Sequence, residues 1–272
     1  MSKMLNPENP APISVAMIAR NEGDNLPRCL ESVRGWVSEI VIVLNDCTDD
    51  TEAVAKQYGA KIIEQPWSNF RDQKNVSLDH SSQPWILALD ADEAVSETLR
   101  QEICDFVQKA EQGGNYVGAE FPRKVWLMGK WINHGDWYPD YSLRLFRKDK
   151  GRWGGGEVHE KLELDGPCKR LTGDLYHFTY RDIADHLSRM QRYASIFAER
   201  QIAAGKNFSP AAAILRPLWR FFRCYIIKRG FLDGFHGFYV AAMTAVYTFL
   251  RYTYLLEAEW KKSGKTEPFN QG

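Results

Sequence analysis

Three carboxylates crowd into four positions where an apolar run ends. In "PWILALDADEAVS", Pro84 to Ser96, the residues Trp85 to Leu89 lead into Asp90, Asp92 and Glu93. Two carboxylates on one tight turn offer oxygen ligands to a hard divalent cation, Mg²⁺ or Mn²⁺, and leave coordination positions open for a phosphate. Acidic residues are also ordinary between a strand and a helix, where Ser96 can cap the helix that follows. The place of this turn in the fold separates the two readings.

That place follows from the elements before it. "ISVAMI" (13–18) and "EIVIVL" (39–44) read as buried strands, ending at the polar clusters "ARNEGDN" and "NDCTDDT". Between them "NLPRCLESVRGW" carries Leu26, Leu30 and Val33 at helical spacing, and "DDTEAVAKQYG" starts on capping acids and stops at a glycine. "AKIIEQ" makes a third strand, "RDQKNVSLDHS" a third helix and "PWILALD" a fourth strand, after which "SETLRQEICDFVQKAEQGG" reads as a long amphipathic helix. Strand and helix alternate through residue 113, and right-handed crossovers make such a series a parallel sheet covered by helices. In open α/β sheets ligands bind beyond the carboxyl ends of the strands, and "ARNE", "NDCTDD" and "DADE" all fall at such ends. Three polar clusters converging on one rim favour the metal reading of Asp90 and Asp92. The chain has neither G-x-G-x-x-G after its first strand nor G-x-x-x-x-G-K-[ST], so a metal has to do for a phosphate what a glycine loop would otherwise do.

Composition fits one sizeable core with an appended segment: 272 residues, 44% hydrophobic. Lys plus Arg and Asp plus Glu number 35 each, so no overall charge points to nucleic acid. Five scattered cysteines without a C-x-x-C pair indicate neither a zinc knuckle nor a disulfide framework, and a reducing cytoplasm is the expectation. The first dozen residues lack the apolar core of a signal peptide and read as a flexible lead-in.

"SVAMIARNEGDNLPRCLESV", "EIVIVLNDCTDDT", "QKN", "WILALDADE", "YPDYSLRLFRK", "RWGGGEVHEKL" and "HFTY" together resemble the family 2 glycosyltransferases, over residues 13 to about 180. Within that family the chain is most similar to the lipopolysaccharide core β-glucosyltransferases. The resemblance implies a GT-A nucleotide-diphosphosugar transferase fold, in which a Rossmann-like parallel sheet is followed by an antiparallel acceptor half. It implies metal-dependent, inverting transfer of a sugar, with glucose suggested, from a nucleotide-diphosphosugar, UDP-sugar favoured, to a saccharide or glycolipid acceptor such as lipopolysaccharide core. By resemblance, Asp92 is the metal ligand, Asp90 lies toward the ribose and metal, and His177 in "LYHFTY" is a further metal or phosphate contact; a lone histidine among aromatics is otherwise a core residue. Arg20, Asn21 and Glu22 border the nucleoside, unless Arg20 and Glu22 simply pair. Lys74 and Asn75 in "QKN" bind the donor, a lysine suiting phosphate as a compact charge. The family places an acidic pair just after its second strand; Leu44 and Asn45 stand there in this chain, and Asp46 is the nearest acid.

The expected division is a nucleotide-sugar half over 13–113, an acceptor half over 114–180 and a helical segment over 181–272. Alternation in "NYVGAEFPRKVWLMGKWI", "YSLRLFRK" and "GEVHEKLEL" gives the acceptor half antiparallel strands. Inverting transfer needs a carboxylate there to take the acceptor's proton, with Glu160 the first choice and Asp140 the second. Gly154, Gly155 and Gly156 suggest a mobile loop closing over donor, and His159 beside Glu160 would orient that loop or a phosphate. A nucleotidyl- or phosphotransferase on the same metal, and a non-catalytic membrane-associated binding protein, are the competing functions. Residues 200–232 hold seven Lys or Arg and no acid, with Trp219, Phe221, Phe222 and Tyr225 interleaved. Arg216, Arg220 and Arg223 share a helical face, which predicts docking on an anionic membrane, at the cytoplasmic face of the inner membrane. The apolar run "GFYVAAMTAVYTFL" is too short to span a bilayer.

Overall fold

The computed structural model describes residues 10–156 and 159–264. The chain folds as two compact units, one formed by residues up to Lys124 together with Asp140–His177, the other by Val125–Pro139 together with Phe178 onward. The lead-in, through residue 9, lies outside the described residues.

The first unit opens with β1 (Ala11–Ala19), α1 (Leu26–Val33), β2 (Val37–Leu44), α2 (Thr51–Gln57), β3 (Lys61–Glu64), α3 (Phe70–His80) and β4 (Trp85–Ala88). β1 pairs in parallel with β2 and β4, and β2 with β3, so the first four strands lie side by side in the order β3-β2-β1-β4. Both faces of this sheet are covered, and alternation divides the strands between two cores. Ile13, Val15 and Met17 join Trp85 and Leu87 on one face, under α1 and the helix α4 (Glu97–Glu111). Ala16, Ile86 and Ala88 pack on the other with Leu78 of α3 and Trp153. Fully burying one such aliphatic side chain contributes about 1.5–3 kcal/mol, which is why the near-continuous apolar runs read as strands buried on both sides.

A strand unseen in the sequence, β5 (Glu93–Val95), separates the "DADE" turn from α4, whose N-cap is Ser96 as anticipated, its hydroxyl accepting from the Leu99 N–H at 3.2 Å. The antiparallel half follows: β6 (Gly118–Leu127), β7 (Lys130–Trp131), β8 (Asp140–Arg147), β9 (Gly151–Gly156), β10 (His159–Leu164), β11 (Cys168–Arg170) and β12 (Leu175–His177). β8 runs antiparallel to β4 and to β6, which turns the parallel sheet into a mixed one, and β12 pairs antiparallel with β5. A parallel half joined to an antiparallel half is the expected GT-A architecture. The glycine run is not a loop: Gly154 and Gly155 lie in β9, opposite Lys161 and Glu160 of β10. A Cβ on Gly154 would meet the Glu163 carboxylate at 2.2 Å, so glycine here lets the hairpin arms close rather than swing. Residues 157 and 158 and the side chain of His159 lie outside the described residues.

The second unit carries β7 and the helices α5 (Ile183–Ala203), α6 (Pro210–Phe222) and α7 (Phe235–Lys262). Leu127, Ile132, Cys224, Val240 and Ala241 form its core, so the excursion 125–139 is part of the helical body. The basic face of α6 is partly engaged within the unit. Arg220 and Arg223 face Asp136 at 3.3 and 3.0 Å, and Arg216 donates to the Tyr252 hydroxyl at 2.5 Å. Asp136, a buried carboxylate on a distant stretch of sequence, engages Arg220 and Arg223, whose side chains are 39% and 34% exposed, while Arg216 stays exposed and large apolar side chains share the outer face: Leu215 and Leu218 are each 63% exposed and Trp219 54%. Among the described residues no helix is long and apolar enough to cross a membrane.

Candidate active site

The rim at the carboxyl ends of β1 and β2 is built by side chains that satisfy turn backbone. Asn21 and Asp46 sit in the left-handed region, at φ 54° and 43°, a conformation their short polar side chains tolerate. Asn21 Oδ1 accepts from the Thr48 N–H at 2.8 Å, the Glu22 N–H donates to Thr51 Oγ1 at 2.7 Å, and the Gly23 N–H donates to Asp49 Oδ2 at 3.0 Å. The two turns are thus stitched into one wall. Glu22 accepts from Asn25 Nδ2 at 2.9 Å, and Arg20 and Asp46 are exposed beside it. Asn45, where the family's acid is expected, is buried and its Oδ1 has no hydrogen-bond partner.

Two residues beyond β4, the "DADE" turn splits its acids between two tasks. Asp92 Oδ2 lies 3.4 Å from His177 Nε2, at the end of β12, so two of the expected metal ligands, 85 positions apart in sequence, meet. Asp90 goes elsewhere. Arg144 of β8, itself 5% exposed, reaches Asp90 at 2.5 Å and Glu93 at 2.7 Å, and Lys74 of α3 stands 4.0 Å from Asp90. Burial opposes ionisation of Asp90, but Arg144, Lys74 and Arg123 outweigh it and hold the carboxyl well below its ordinary range. For Glu93, at 1% exposure, burial and the neighbouring Asp90 prevail over Arg144 and push its carboxyl up. Asp90, Asp92 and His177 do not form a three-ligand metal group, and none exists among the described residues.

Lys74 joins the rim to the antiparallel half. Its Nζ is 3.0 Å from Glu160 Oε1 on β10 and 4.4 Å from the centre of the Trp153 ring. The site residue Asn75 is occupied structurally: its Nδ2 donates to the Trp153 carbonyl at 2.9 Å and its Oδ1 accepts from the Trp153 N–H at 3.1 Å, pinning β9 to α3. Asp140 is engaged by Arg123, whose Nε donates to Oδ2 at 2.9 Å. Arg144, Arg123 and Trp153 were not singled out by sequence, and Glu93, noted in the acidic turn, was given no role; an arginine amid the apolar alternation of "YSLRLFRK" was the available sign, since a charge on a doubly covered strand needs a buried partner.

These residues gather charged and polar side chains at the carboxyl rim of the parallel strands. The family model described as glycosyl transferase family 2 matches residues 14–161, more than half of the chain. The chain is 30% identical over 246 residues to the lipopolysaccharide core biosynthesis glycosyltransferase LpsC of Rhizobium meliloti, covering 88% of this chain and 90% of that one. It is 27% identical over 258 residues to an uncharacterized glycosyltransferase of Rickettsia typhi, covering 92% and 88%. The protein therefore belongs to glycosyl transferase family 2 and is a glycosyltransferase, which sets aside the phosphotransferase and non-catalytic readings. Among solved structures, glucosyl-3-phosphoglycerate synthase from Mycobacterium tuberculosis matches at 18% identity and a TM-score of 0.46, over 73% of this chain and 82% of that one, an overlap too loose to add to the assignment.

Proposed function

We propose that the protein transfers a sugar, with inversion, from a nucleotide-diphosphosugar to a hydroxyl of a lipid-linked saccharide of the lipopolysaccharide core class. The resemblance suggests glucose as the sugar and UDP as the nucleotide, and the LpsC likeness supports the acceptor class. The observation that carries the reading is Lys74, which lies between Glu160 of the acceptor half and Asp90 of the "DADE" turn. One ammonium thereby links the group that would take a proton to the turn that would meet the diphosphate.

In this reading Glu160 accepts the acceptor's proton as that oxygen bonds to the anomeric carbon and the bond to the nucleoside diphosphate breaks. Lys74 is the compact cation next to the departing phosphate, and Trp153 and Glu160 fix where it points. The Asp90–Arg144–Glu93 group holds the turn rigid and keeps Asp90 ionised. Asn21, Glu22 and Asp46 line the nucleoside wall. A carboxylate and an imidazole fit a divalent cation such as Mn²⁺, so Asp92 and His177 would hold it, with diphosphate oxygens and water as the other ligands. Bound there, the metal would supply positive charge to the leaving diphosphate.

Asp92→Asn is expected to abolish divalent-cation-dependent turnover while leaving the melting temperature near that of the wild type. Full activity in this variant, or in excess chelator, would remove the metal from the reading. Association with the cytoplasmic face of the inner membrane also belongs to this proposal, carried by the outward apolar face of α6 with Lys206 and Arg229 exposed near it.

A further inference from the structure

The helical unit forms a half-open cavity of about 260 Å³ walled by Trp137, Tyr180, Tyr193 and Tyr247, with His186 and Arg220 among its polar residues. Apart from Arg220, expected on a basic membrane-facing surface, none of these was assigned a role by the sequence. Aromatic faces supply broad apolar contact for the C–H faces of a sugar ring, while their polar edges remain free to hydrogen-bond. The volume is just below the low end, about 300 Å³, of pockets for drug-sized ligands, so it suits one sugar residue.

The charge of this site is unbalanced. Asp136 lines the cavity with a side chain only 6% exposed, and Arg220, Arg223 and Lys228 stand 3.0–3.3 Å from its oxygens. Those oxygens have no hydrogen bond of regular geometry, so the carboxylate is held by charge alone. Arg251 adds a fourth cation behind the wall, 3.6 Å from the Phe197 ring centre and 5.6 Å from that of Tyr247, with a buried Nε that has no partner. One carboxylate cannot neutralise four cations, and although the side chains of Arg220, Arg223 and Lys228 stay 39%, 34% and 35% exposed, the local surplus of positive charge favours an anion entering the cavity. Arg189, also in the wall, is matched by Asp185 at 3.0 Å and does not change the surplus.

We infer that this cavity binds an anionic saccharide, a sugar carrying a carboxylate or a phosphate. The ring lies against Trp137, Tyr180 and Tyr247, and the charged group meets Arg220, a residue suited to bidentate contact with either anion. The cavity thereby selects acceptors by a charged sugar that is not itself glycosylated. That role as an acceptor anchor rests on the glycosyl-transfer reading; the binding itself does not.

Isothermal titration calorimetry on the full chain, with UDP and Mg²⁺ in excess to fill the donor site, tests it with four probes: glucuronate, glucose 6-phosphate, glucose and inorganic phosphate. The two charged sugars are expected to bind at least tenfold more tightly than glucose and than phosphate alone. Arg220→Gln and Tyr193→Ala should each weaken them tenfold or more, and Asp92→Asn should not. Tyr193 is half exposed, so that variant remains informative should the Arg220 change unfold the helices. No binding, equal binding of glucose, phosphate binding as tightly as glucose 6-phosphate, or indifference to Tyr193→Ala would each overturn the saccharide site. Charged-sugar binding lost in Arg220→Gln, with the KM for a saccharide acceptor unchanged, would overturn the anchoring role alone. A chain that binds these sugars but turns over no sugar nucleotide would instead defeat the transferase mechanism and leave the cavity standing.

Discussion

Glu160 and Asp140 are both acids of the antiparallel half, but their neighbours divide them. Asp140 is held by the Arg123 fork, whereas among the described residues Glu160 is met by the ammonium of Lys74, a partner that a departing diphosphate would draw away. Glu160→Gln is therefore expected to lower kcat by about 10²–10⁴ with little change in donor affinity, and Asp140→Asn to lower it less. Steady-state kinetics alongside UDP binding separates the two effects, and the reverse ranking would move the base to Asp140. The sequence carried much of this site, because acids at strand ends and a lysine in a short polar motif stand out where they fall. Arg144 did not stand out, nor did its pairing with Glu93. Their pairing depends on the register that sets β8 against β4 and on β5, a strand too short for any periodicity.

At the scale of the element, the alternating first half was legible because doubly buried strands are unbroken apolar runs and amphipathic helices repeat. Helical spacing placed Arg216, Arg220 and Arg223 on one face without revealing that part of it is engaged within the unit, since Asp136 lies far away in sequence. Packing within the same unit buries His186 of α5, whose Nδ1 lies 2.8 Å from the Tyr239 hydroxyl. Burial holds its pKa below the usual histidine value, with Asp185 opposing. The unfolded chain then takes up a proton before the folded one, so stability is complete above about pH 6.5 and falls as the pH drops from there toward the lowered folded value. Urea unfolding between pH 7.5 and 5.5 should show a loss in the wild type that is smaller in His186→Gln; parallel losses would place the acid sensitivity elsewhere.

For the whole molecule, the partly engaged basic face of α6 changes what should hold it at a membrane. Each Lys or Arg near an anionic surface contributes about 1 kcal/mol, whereas each fully buried Leu or Phe contributes about 1.5–3 kcal/mol. With Leu215, Leu218 and Phe222 outward and Arg220 and Arg223 engaged by Asp136, the apolar term dominates. Vesicle flotation should persist in high salt and be lost when Leu215, Leu218 and Phe222 are changed together to Glu. Flotation unaffected by that triple change would assign this face to something other than lipid. The division of the chain was the least legible feature of all, because 125–139 looks like more of the alternating half. It is anchored instead by helical partners: Asp233 Oδ2 accepts from the N–H groups of Asn133 and His134 at 2.9 and 2.8 Å.

That interleaving bears on how such enzymes could trade parts. Because the helical body is encoded in two blocks with β8 to β12 between them, a single crossover that imported only the terminal helices from a relative would separate Asp136 and Ile132 from the side chains they now meet. A gene shuffle that kept the helical body intact would have to move both blocks at once.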